Sequence, residues 1–354
     1  MVINAKENLH IMKMEDVQIN RIFWLWKYWL PLGKLTILAG AAGCGKTNLA
    51  LALASTITVG GNFPDGTHCE HLGEILIYST EDDPADTLKP RLIAHGADIS
   101  KVAIITARRS EDGKLEAFDP TKDFPKIEEY IQNAPNLKLL LIDPIVSVVS
   151  GDLNKATDVR RSLQPLIDSS NKYNFAILGI THFSKNSTQN SPIDRILGSQ
   201  AFSALARMAW TATRRDTHDD SILVRAKSNI STLEGAIRYQ IESVEIDDEI
   251  ETTTTNWLGM IEGNATELLN CVDSVRDENT VVKAAKAFLI EILNSVDAMP
   301  SKDIQAHAKE AGFSQASIRR AQYLLSIKPF RPHGDKNWFW SLPLEHKSVG
   351  STNQ

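Results

Sequence analysis

Residues 35–47 read LTILAGAAGCGKT and decide the fold of this chain. The run begins with apolar residues over the length of a strand, and its last eight positions, Gly40 to Thr47, match the pattern G-x-x-x-x-G-K-[ST]. Glycines in such a loop let backbone N–H groups close around phosphate oxygens at the start of the following helix. A strand, a glycine-rich loop and a helix in this order predict a nucleotide-binding α/β domain.

The loop also predicts how a nucleotide would be held. Lys46 would reach the β and γ phosphates, and Thr47 would offer its hydroxyl to Mg²⁺. We therefore expect ATP and Mg²⁺ as cofactors, with hydrolysis of the ATP. The residues expected to contact the nucleotide are consecutive: Gly40, Ala41, Ala42, Gly43, Cys44, Gly45, Lys46, Thr47 and Asn48. Cys44 is either a small filler in the loop, which we favour, or a redox-sensitive thiol activated by the helix N-terminus.

Composition limits the class of protein. The chain has 354 residues, of which 42% are hydrophobic and 23% charged, so we expect a globular protein with one large and one small domain. A net charge of -6 argues against a surface wholly covered by nucleic acid, although a regional basic patch stays possible. Its three cysteines indicate neither a disulfide framework nor a zinc site, which suits a cytoplasmic setting. We expect no membrane-spanning segment.

The pattern around the loop alternates short apolar runs with amphipathic stretches, which is typical of an α/β fold with a mostly parallel sheet flanked by helices. After Ala209 the sequence contains strand-like pieces without helices between them, so we expect antiparallel strands added to one edge of the sheet. The predicted parallel strands are Leu35 to Ala39, Glu74 to Ser79, Val102 to Thr106, Lys138 to Ile142 and Phe175 to Ile180. The predicted edge strands are Trp210 to Thr213, Ile222 to Ala226 and Ile237 to Val244.

Polar residues follow three of these strands where ligands of parallel sheets bind. Asp143 ends an apolar strand and would complete the Mg²⁺ shell; the alternative is an acid that only begins a turn before Pro144. Glu81 is our candidate for the base that orients water, with Asp82 as the fallback, although the acids after Ser79 could also cap the next helix. His182 would sense the γ-phosphate, but a lone histidine is more often a packed or surface residue.

Five motifs in this order resemble RecA-like ATPases, specifically the group of RepA-type replicative helicases and, more distantly, DnaB-type helicases. The motifs are 32–40 leading into the loop, 78–82, 141–144, 181–183 and 198–201. The resemblance covers about residues 26–244 and implies a RecA-like fold, with Glu81 as the catalytic glutamate.

In that family, active sites lie between subunits of a ring. The resemblance therefore implies a homo-oligomer, expected to be a hexameric ring, in which Arg207 and Lys227 of one subunit reach the γ-phosphate of the next. Many relatives have arginine where this chain has Asn229, so Arg207 could act alone. Both bases could equally be ordinary surface residues. The resemblance also implies single-stranded DNA passing through the ring, where Lys185 and Arg195 would contact it.

The C-terminal part differs in charge from the rest. Residues 279–347 contain ten Lys or Arg and six Asp or Glu, a balance of +4 that leaves -10 elsewhere. Three predicted helices and a hairpin at Gly334-Asp335 outline a winged helix, in which Gln315, Arg319, Arg320 and Lys336 would contact DNA. A winged helix can equally serve protein contacts.

The expected organisation has five segments. Residues 1–33 form an aromatic-rich lead-in, 34–246 the RecA-like ATPase domain, 247–278 an acidic linker, 279–345 the winged-helix-like domain and 346–354 a disordered tail. The linker is predicted from six carboxylates within 242–251. The aromatic residues of the lead-in could stack on bases or on a neighbouring subunit, but we favour packing against the sheet edge.

Three functions remain open at this point. The favoured one is a ring-forming ATPase motor on DNA, a replicative helicase or a related ATPase of DNA metabolism. The second is an ATP-dependent regulator or loader that binds DNA or a protein without unwinding. The third, a small-molecule kinase, is disfavoured by the histidine strand and the added edge strands.

Overall fold

The structure is a computed structural model that describes residues 12–110, 112–116, 118–182, 200–215, 219–247, 249–264, 268, 282–294, 296–332 and 337–343. The described residues form two compact units. The first takes the chain up to Thr213 and then Ile222–Glu262, and the second takes Arg214–Ser221 and what is described from Gly263 onward. The predictions for Lys185, Arg195, Lys336, the Gly334-Asp335 turn and the tail from 346 lie outside the described residues.

The first unit is an α/β domain. Its strands are β1 (Trp24–Trp26), β2 (Leu30–Pro31), β3 (Leu35–Gly40), β4 (Glu74–Ser79), β5 (Val102–Ile104), β6 (Arg108–Arg109), β7 (Leu115–Glu116), β8 (Leu137–Asp143), β9 (Ala176–His182), β10 (Met208–Arg214), β11 (Ser221–Ser228), β12 (Glu234–Asp247) and β13 (Ile250–Asn264). Its helices are α1 (Lys46–Val59), α2 (Lys89–Ala94), α3 (Pro120–Asn133), α4 (Ala156–Tyr173) and α5 (Gln200–Leu205). A π-helical turn, Pro84–Leu88, leads directly into α2.

Nine of these strands form one sheet in the order β13-β12-β11-β10-β3-β9-β8-β4-β5. All neighbours from β10 to β5 run parallel. The predicted RecA-like α/β fold is therefore confirmed. Gly40 pairs with His182, and Ser79 pairs with Asp143, so the carboxyl ends of β3, β9, β4 and β8 lie along one edge. That edge carries the phosphate loop.

Both faces of the sheet are covered, which explains why its strands read as continuous apolar runs. On β8, Leu139 and Leu141 belong to the same buried cluster as the apolar residues of α1. Leu140 and Ile142 face the other way, where they line a small cavity together with Leu166 of α4. Alternate residues of one strand thus pack against α1 on one face and α4 on the other.

The edge strands were only partly predicted. Residues 210–213 fall in β10, which pairs parallel with β3, so the prediction that this piece is antiparallel is wrong. The 25 residues between His182 and Met208 are long enough for a parallel crossover and include α5. The connections 215–220, 229–233 and 248–249 are too short for one, so β11, β12 and β13 are antiparallel to their predecessors.

The prediction of an acidic linker at 247–278 is also wrong over the first half of that range. Residues 250–264 form β13, which pairs with β12 in a hairpin of 14- and 15-residue strands. Every described carboxylate within 242–251 is exposed, so this charge lies in solvent at the end of the hairpin. The four threonines that follow are β-branched and favour a strand. The boundary between the units falls at Gly263.

The aromatic lead-in belongs to the core of the first unit. Trp26 and Trp29 are stacked with ring centroids 4.6 Å apart, and both meet Trp210 of β10 edge-on at 5.8 Å. These two residues therefore pack against the sheet, but on β10, which lies between β11 and β3 rather than at the sheet edge that was expected. Phe23 and Tyr28 are 40% and 50% exposed and do not belong to this buried aromatic cluster.

The second unit contains α6 (282–294), β14 (Met299–Pro300), α7 (Ser301–Glu310), α8 (Gln315–Leu324) and β15 (Phe339–Trp340). The helices pack around a core that includes Leu289, Ile304 and Ile318, closed by Trp340. Ser314 caps α8 as predicted, since its Oγ accepts a hydrogen bond from Ser317 N at 3.1 Å. β14 and β15 form a short antiparallel ladder. Within the described residues, no helix of either unit is long and apolar enough to cross a membrane.

Candidate functional site

The phosphate loop connects β3 to α1 through two left-handed glycines. Gly43 has a φ of 75° and Gly45, the N-cap of α1, a φ of 81°. Residues other than glycine rarely adopt these φ values, which explains why glycine occupies both positions. Gly40 is required for a different reason: a Cβ there would lie 2.5 Å from the carbonyl oxygen of Ala212 on β10. The backbone of β10, which runs parallel to β3, therefore lies in direct contact with the start of the loop.

Lys46 lies over the loop that precedes it. Its Nζ donates hydrogen bonds to Gly40 O at 3.2 Å and Ala41 O at 2.9 Å, and it lies 3.2 Å from Nδ1 of His182. An ammonium can only donate, so Nδ1 of His182 accepts and Nε2 carries the proton of the neutral ring. The side chain of Lys46 is only 6% exposed, which leaves its charge weakly screened for a bound phosphate.

Thr47 and Asp143 form the second part of the site. Thr47 Oγ1 donates to Asp143 Oδ2 at 2.7 Å, while Asp143 Oδ1 is buried without a hydrogen-bond partner among the described residues. The pKa of Asp143 is raised to about 6, chiefly by burial and also by the charges of Glu81 and Asp82, while the Thr47 hydrogen bond and the charge of Lys46 lower it. A buried carboxylate oxygen without a partner beside a hydroxyl suits a hard cation.

Thr47 and Asp143 suit Mg²⁺ only together with ligands that the protein does not supply. Among the described residues there is no group of three or more His, Cys, Asp or Glu that could hold a metal ion alone. Mg²⁺ in nucleotide sites takes one or two protein oxygens and completes its octahedron with phosphate oxygens and water. Thr47 and Asp143 match that requirement.

Glu81 and His182 face each other across the mouth of the site. Glu81 Oε1 lies 3.6 Å from Nε2 of His182, and their side chains are 45% and 46% exposed. The residues Lys46, His182 and Glu81 thus form a continuous line from the loop to solvent. Water has access to Glu81, as a group that orients an attacking water needs.

The other two acids after β4 are occupied elsewhere. Asp82 forms an ion pair with Arg91 at 2.9 Å, and Asp83 caps the helical turn by accepting from the backbone N–H groups of Ala85 and Asp86. The capping alternative therefore applies to Asp83. Asp82 is a poor fallback base because Arg91 holds its carboxylate.

A family model described as an AAA domain matches residues 8–188, just over half of the chain. The chain belongs to the AAA-domain family of P-loop ATPases. The match includes most of the aromatic-rich lead-in, in agreement with the packing of Trp26 and Trp29 into the core. The chain matches no curated protein sequence.

The first unit has a feature that sequence reasoning missed: the β12–β13 hairpin contacts the phosphate loop. Tyr239 OH donates to Cys44 O at 2.6 Å, and a Cβ on Gly45 would lie 2.7 Å from Ile241. Asn48, expected to contact nucleotide, instead donates from Nδ2 to Thr253 Oγ1 at 3.0 Å. Cys44 is 5% exposed, which agrees with a filler role. The sequence predicted a strand at 237–244, within β12, but the residues of β13 were interpreted as a linker, so the hairpin was not expected.

Arg207 and Lys227 of the first unit lie together but away from the loop. Lys227 Nζ donates to Ala206 O at 3.4 Å, and burial together with the neighbouring Arg207 charge lowers the pKa of Lys227. Met208 pairs with Thr36, whereas Ala212 pairs with Gly40, so the pair of bases lies beyond the amino end of β10. Four residues of strand separate the two levels by roughly 13 Å. The structure does not bring these bases to the chain's own loop.

Of the predicted DNA contacts, Gln315, Arg319 and Arg320 are described. They lie on α8 in the second unit, where Gln315 and Arg319 line a cleft of about 320 Å³ with an apolar floor that includes Ile318 and Trp340.

Proposed function

We propose that this AAA-domain ATPase hydrolyses ATP with Mg²⁺ and works as a ring-forming motor on DNA, of the replicative helicase type. The proposal depends on one observation. The phosphate loop, Asp143, Glu81 and His182 share one edge of the sheet, whereas Arg207 and Lys227 lie at the other. A hydrolytic site that includes both sets needs two chains.

The chemistry at the loop edge suits hydrolysis. Thr47 and Asp143 would hold Mg²⁺, which would offset negative charge on the phosphates, and Lys46 would neutralise charge that develops on the γ-phosphate. Glu81 would accept the proton of the attacking water. His182 contacts both Lys46 and Glu81, so loss of the γ-phosphate would change its contacts and could be passed to the segment after β9.

The trans contribution would also bring positive charge to the site. Lys227 is half-buried beside Arg207, so one chain would present two cations together to the γ-phosphate of its neighbour. Arginine residues that reach a transferred phosphoryl group in this way contribute about 10³ to 10⁵ in rate. A ring of such chains is the proposed assembly, with six as the expected number.

The experiment measures ATP turnover with and without single-stranded DNA, together with displacement of a labelled strand from a forked duplex. Stimulated turnover with strand displacement is the expected result, and Glu81→Gln serves as the control that lacks hydrolysis. ATP turnover that ignores DNA, with no displaced strand, would exclude the motor.

A specific observation supports the second candidate, an ATP-dependent regulator or loader. Gln315 and Arg319 were expected to read DNA, yet they line a concave cleft with an apolar floor. Base edges and phosphates call for protruding polar groups, whereas an apolar cleft with a cationic rim suits a protein partner. DNA-stimulated turnover without unwinding would favour this candidate.

A further inference from the structure

The outer wall of the phosphate loop is the β12–β13 hairpin. Tyr239 on β12 is fully buried, and its hydroxyl donates to the carbonyl oxygen of Cys44, the residue before Gly45. Ile241, two residues on, packs against Gly45. Two successive positions on the same face of one strand thus contact the single peptide that joins Cys44 to Gly45.

That peptide is one whose orientation matters for binding an anion. A trans peptide is planar, and its C=O and N–H point in opposite directions. Because Tyr239 holds Cys44 O on the hairpin side, the N–H of Gly45 points away from the hairpin, into the turn formed by 40–47. Phosphate-binding loops hold their ligand through such inward N–H groups.

Removal of the tyrosine hydroxyl takes away the hydrogen bond that holds the Cys44 carbonyl on the hairpin side. A flip of the Cys44-Gly45 peptide changes ψ of Cys44 and φ of Gly45, and glycine accepts either sign of φ at low cost. A flipped peptide would turn the Cys44 carbonyl toward the phosphate, where a partial negative charge repels the anion.

We propose that Tyr239 is a positioning residue for nucleotide binding, which fixes the Cys44-Gly45 peptide so that the N–H of Gly45 faces the phosphates. This role concerns nucleotide binding and holds whether or not the protein acts on DNA. Tyr239 touches neither nucleotide nor water; it acts through the loop backbone.

The test is Tyr239→Phe in the full-length protein. Phenylalanine keeps the ring that packs edge-on against Trp257 at 6.1 Å and removes only the hydroxyl. The affinities for ATP, ADP and inorganic pyrophosphate should each fall by about tenfold, as loss of one well-placed hydrogen bond allows. The kcat at saturating ATP should stay within about twofold, since the flipped peptide is restored once ligand is bound.

Pyrophosphate separates this role from recognition of the base. It carries no adenine, so an equal loss for pyrophosphate and ATP locates the effect at the phosphates. Weaker ATP binding with unchanged pyrophosphate binding would overturn the proposal.

Thr253→Val is the matched control. It removes another neutral hydrogen bond between the same hairpin and the first turn of α1, but leaves the Cys44 carbonyl with its partner. Nucleotide and pyrophosphate affinity should change by less than about twofold. Equal losses in both variants would mean that the hairpin acts through general packing, and unchanged affinity in Tyr239→Phe with a lowered Tm would mean a structural role alone; either result overturns the proposal. If Tyr239→Phe folds poorly, amide hydrogen exchange at Gly45 can still be measured in the soluble fraction. A changed exchange rate at Gly45 indicates a flipped peptide and hence the positioning role, whereas an unchanged rate indicates a structural role alone.

Discussion

Asp143→Asn gives the clearest measurement on the candidate Mg²⁺ ligand. Burial raises the pKa of Asp143 from 3.8 to about 6 in the folded protein without metal. Between these two values the folded state binds more protons than the unfolded state, so the free energy of unfolding falls as pH rises. The penalty is absent well below pH 3.8 and complete above about pH 6, where a difference of 2.2 pKa units amounts to about 3 kcal/mol.

Part of this change falls within an accessible pH range. From pH 5 to pH 8 the ionisation of Asp143 should cost the wild type about 1.4 kcal/mol that the asparagine variant does not lose. Urea unfolding in EDTA, followed by tryptophan fluorescence at several pH values, gives the difference between the two proteins. That difference should grow with pH in favour of the variant.

Two controls sharpen the result. Glu81→Gln removes a charge that raises the pKa of Asp143, so the step should move to lower pH. Added Mg²⁺ and ATP should reverse the order, because the cation favours the ionised carboxylate and only the wild type has one. Parallel pH profiles for wild type and Asp143→Asn in EDTA would refute the reasoning.

Three further outcomes are expected. Glu81→Gln should bind ATP normally while its turnover falls by about 10² to 10⁴, as measured by equilibrium binding and phosphate release; unchanged turnover would refute the base assignment. Gly40→Ala should lower the free energy of unfolding by about 1 to 3 kcal/mol, because its Cβ would lie 2.5 Å from Ala212 O; a stability equal to wild type in urea would show that β10 does not press on the loop. Arg207→Ala should also lose turnover. An equal mixture of Arg207→Ala and Glu81→Gln chains should regain activity at about a quarter of the interfaces, because those interfaces combine an intact Glu81 with an intact Arg207. A mixture as inactive as its components would count against a site shared between chains.

The sequence predicts the loop side of the site well because each of its residues ends a strand. A glycine-rich loop and an acid after an apolar run have strong local signatures, and parallel strands bring their carboxyl ends to one edge without further information. The proximity of Lys46, Asp143 and His182 therefore follows from the pattern alone.

The missing parts depend on long-range pairing, which composition does not encode. β10 is parallel because a long segment precedes it, and nothing within 210–213 reveals this. The carboxylates of 242–251 resemble a linker, yet strand pairing leaves them exposed at a hairpin end, where charge costs little. Missing the hairpin also meant missing Tyr239, whose contact with Cys44 joins residues 195 positions apart.

The separation of the phosphate loop from Arg207 and Lys227 also bears on symmetry. In the proposed assembly, the phosphate loop at one edge of each sheet contacts Arg207 and Lys227 of one neighbour. The chain's own Arg207 and Lys227, at the other edge, contact the loop of the next chain. A twofold dimer would share the loop and the bases twice across one interface, whereas head-to-tail joining makes one shared site at each interface. An open row of such chains always has one loop without bases at one end and one pair of bases without a loop at the other. Closing the row into a ring completes that last site, so activity per chain should depend on closure as well as on the number of chains.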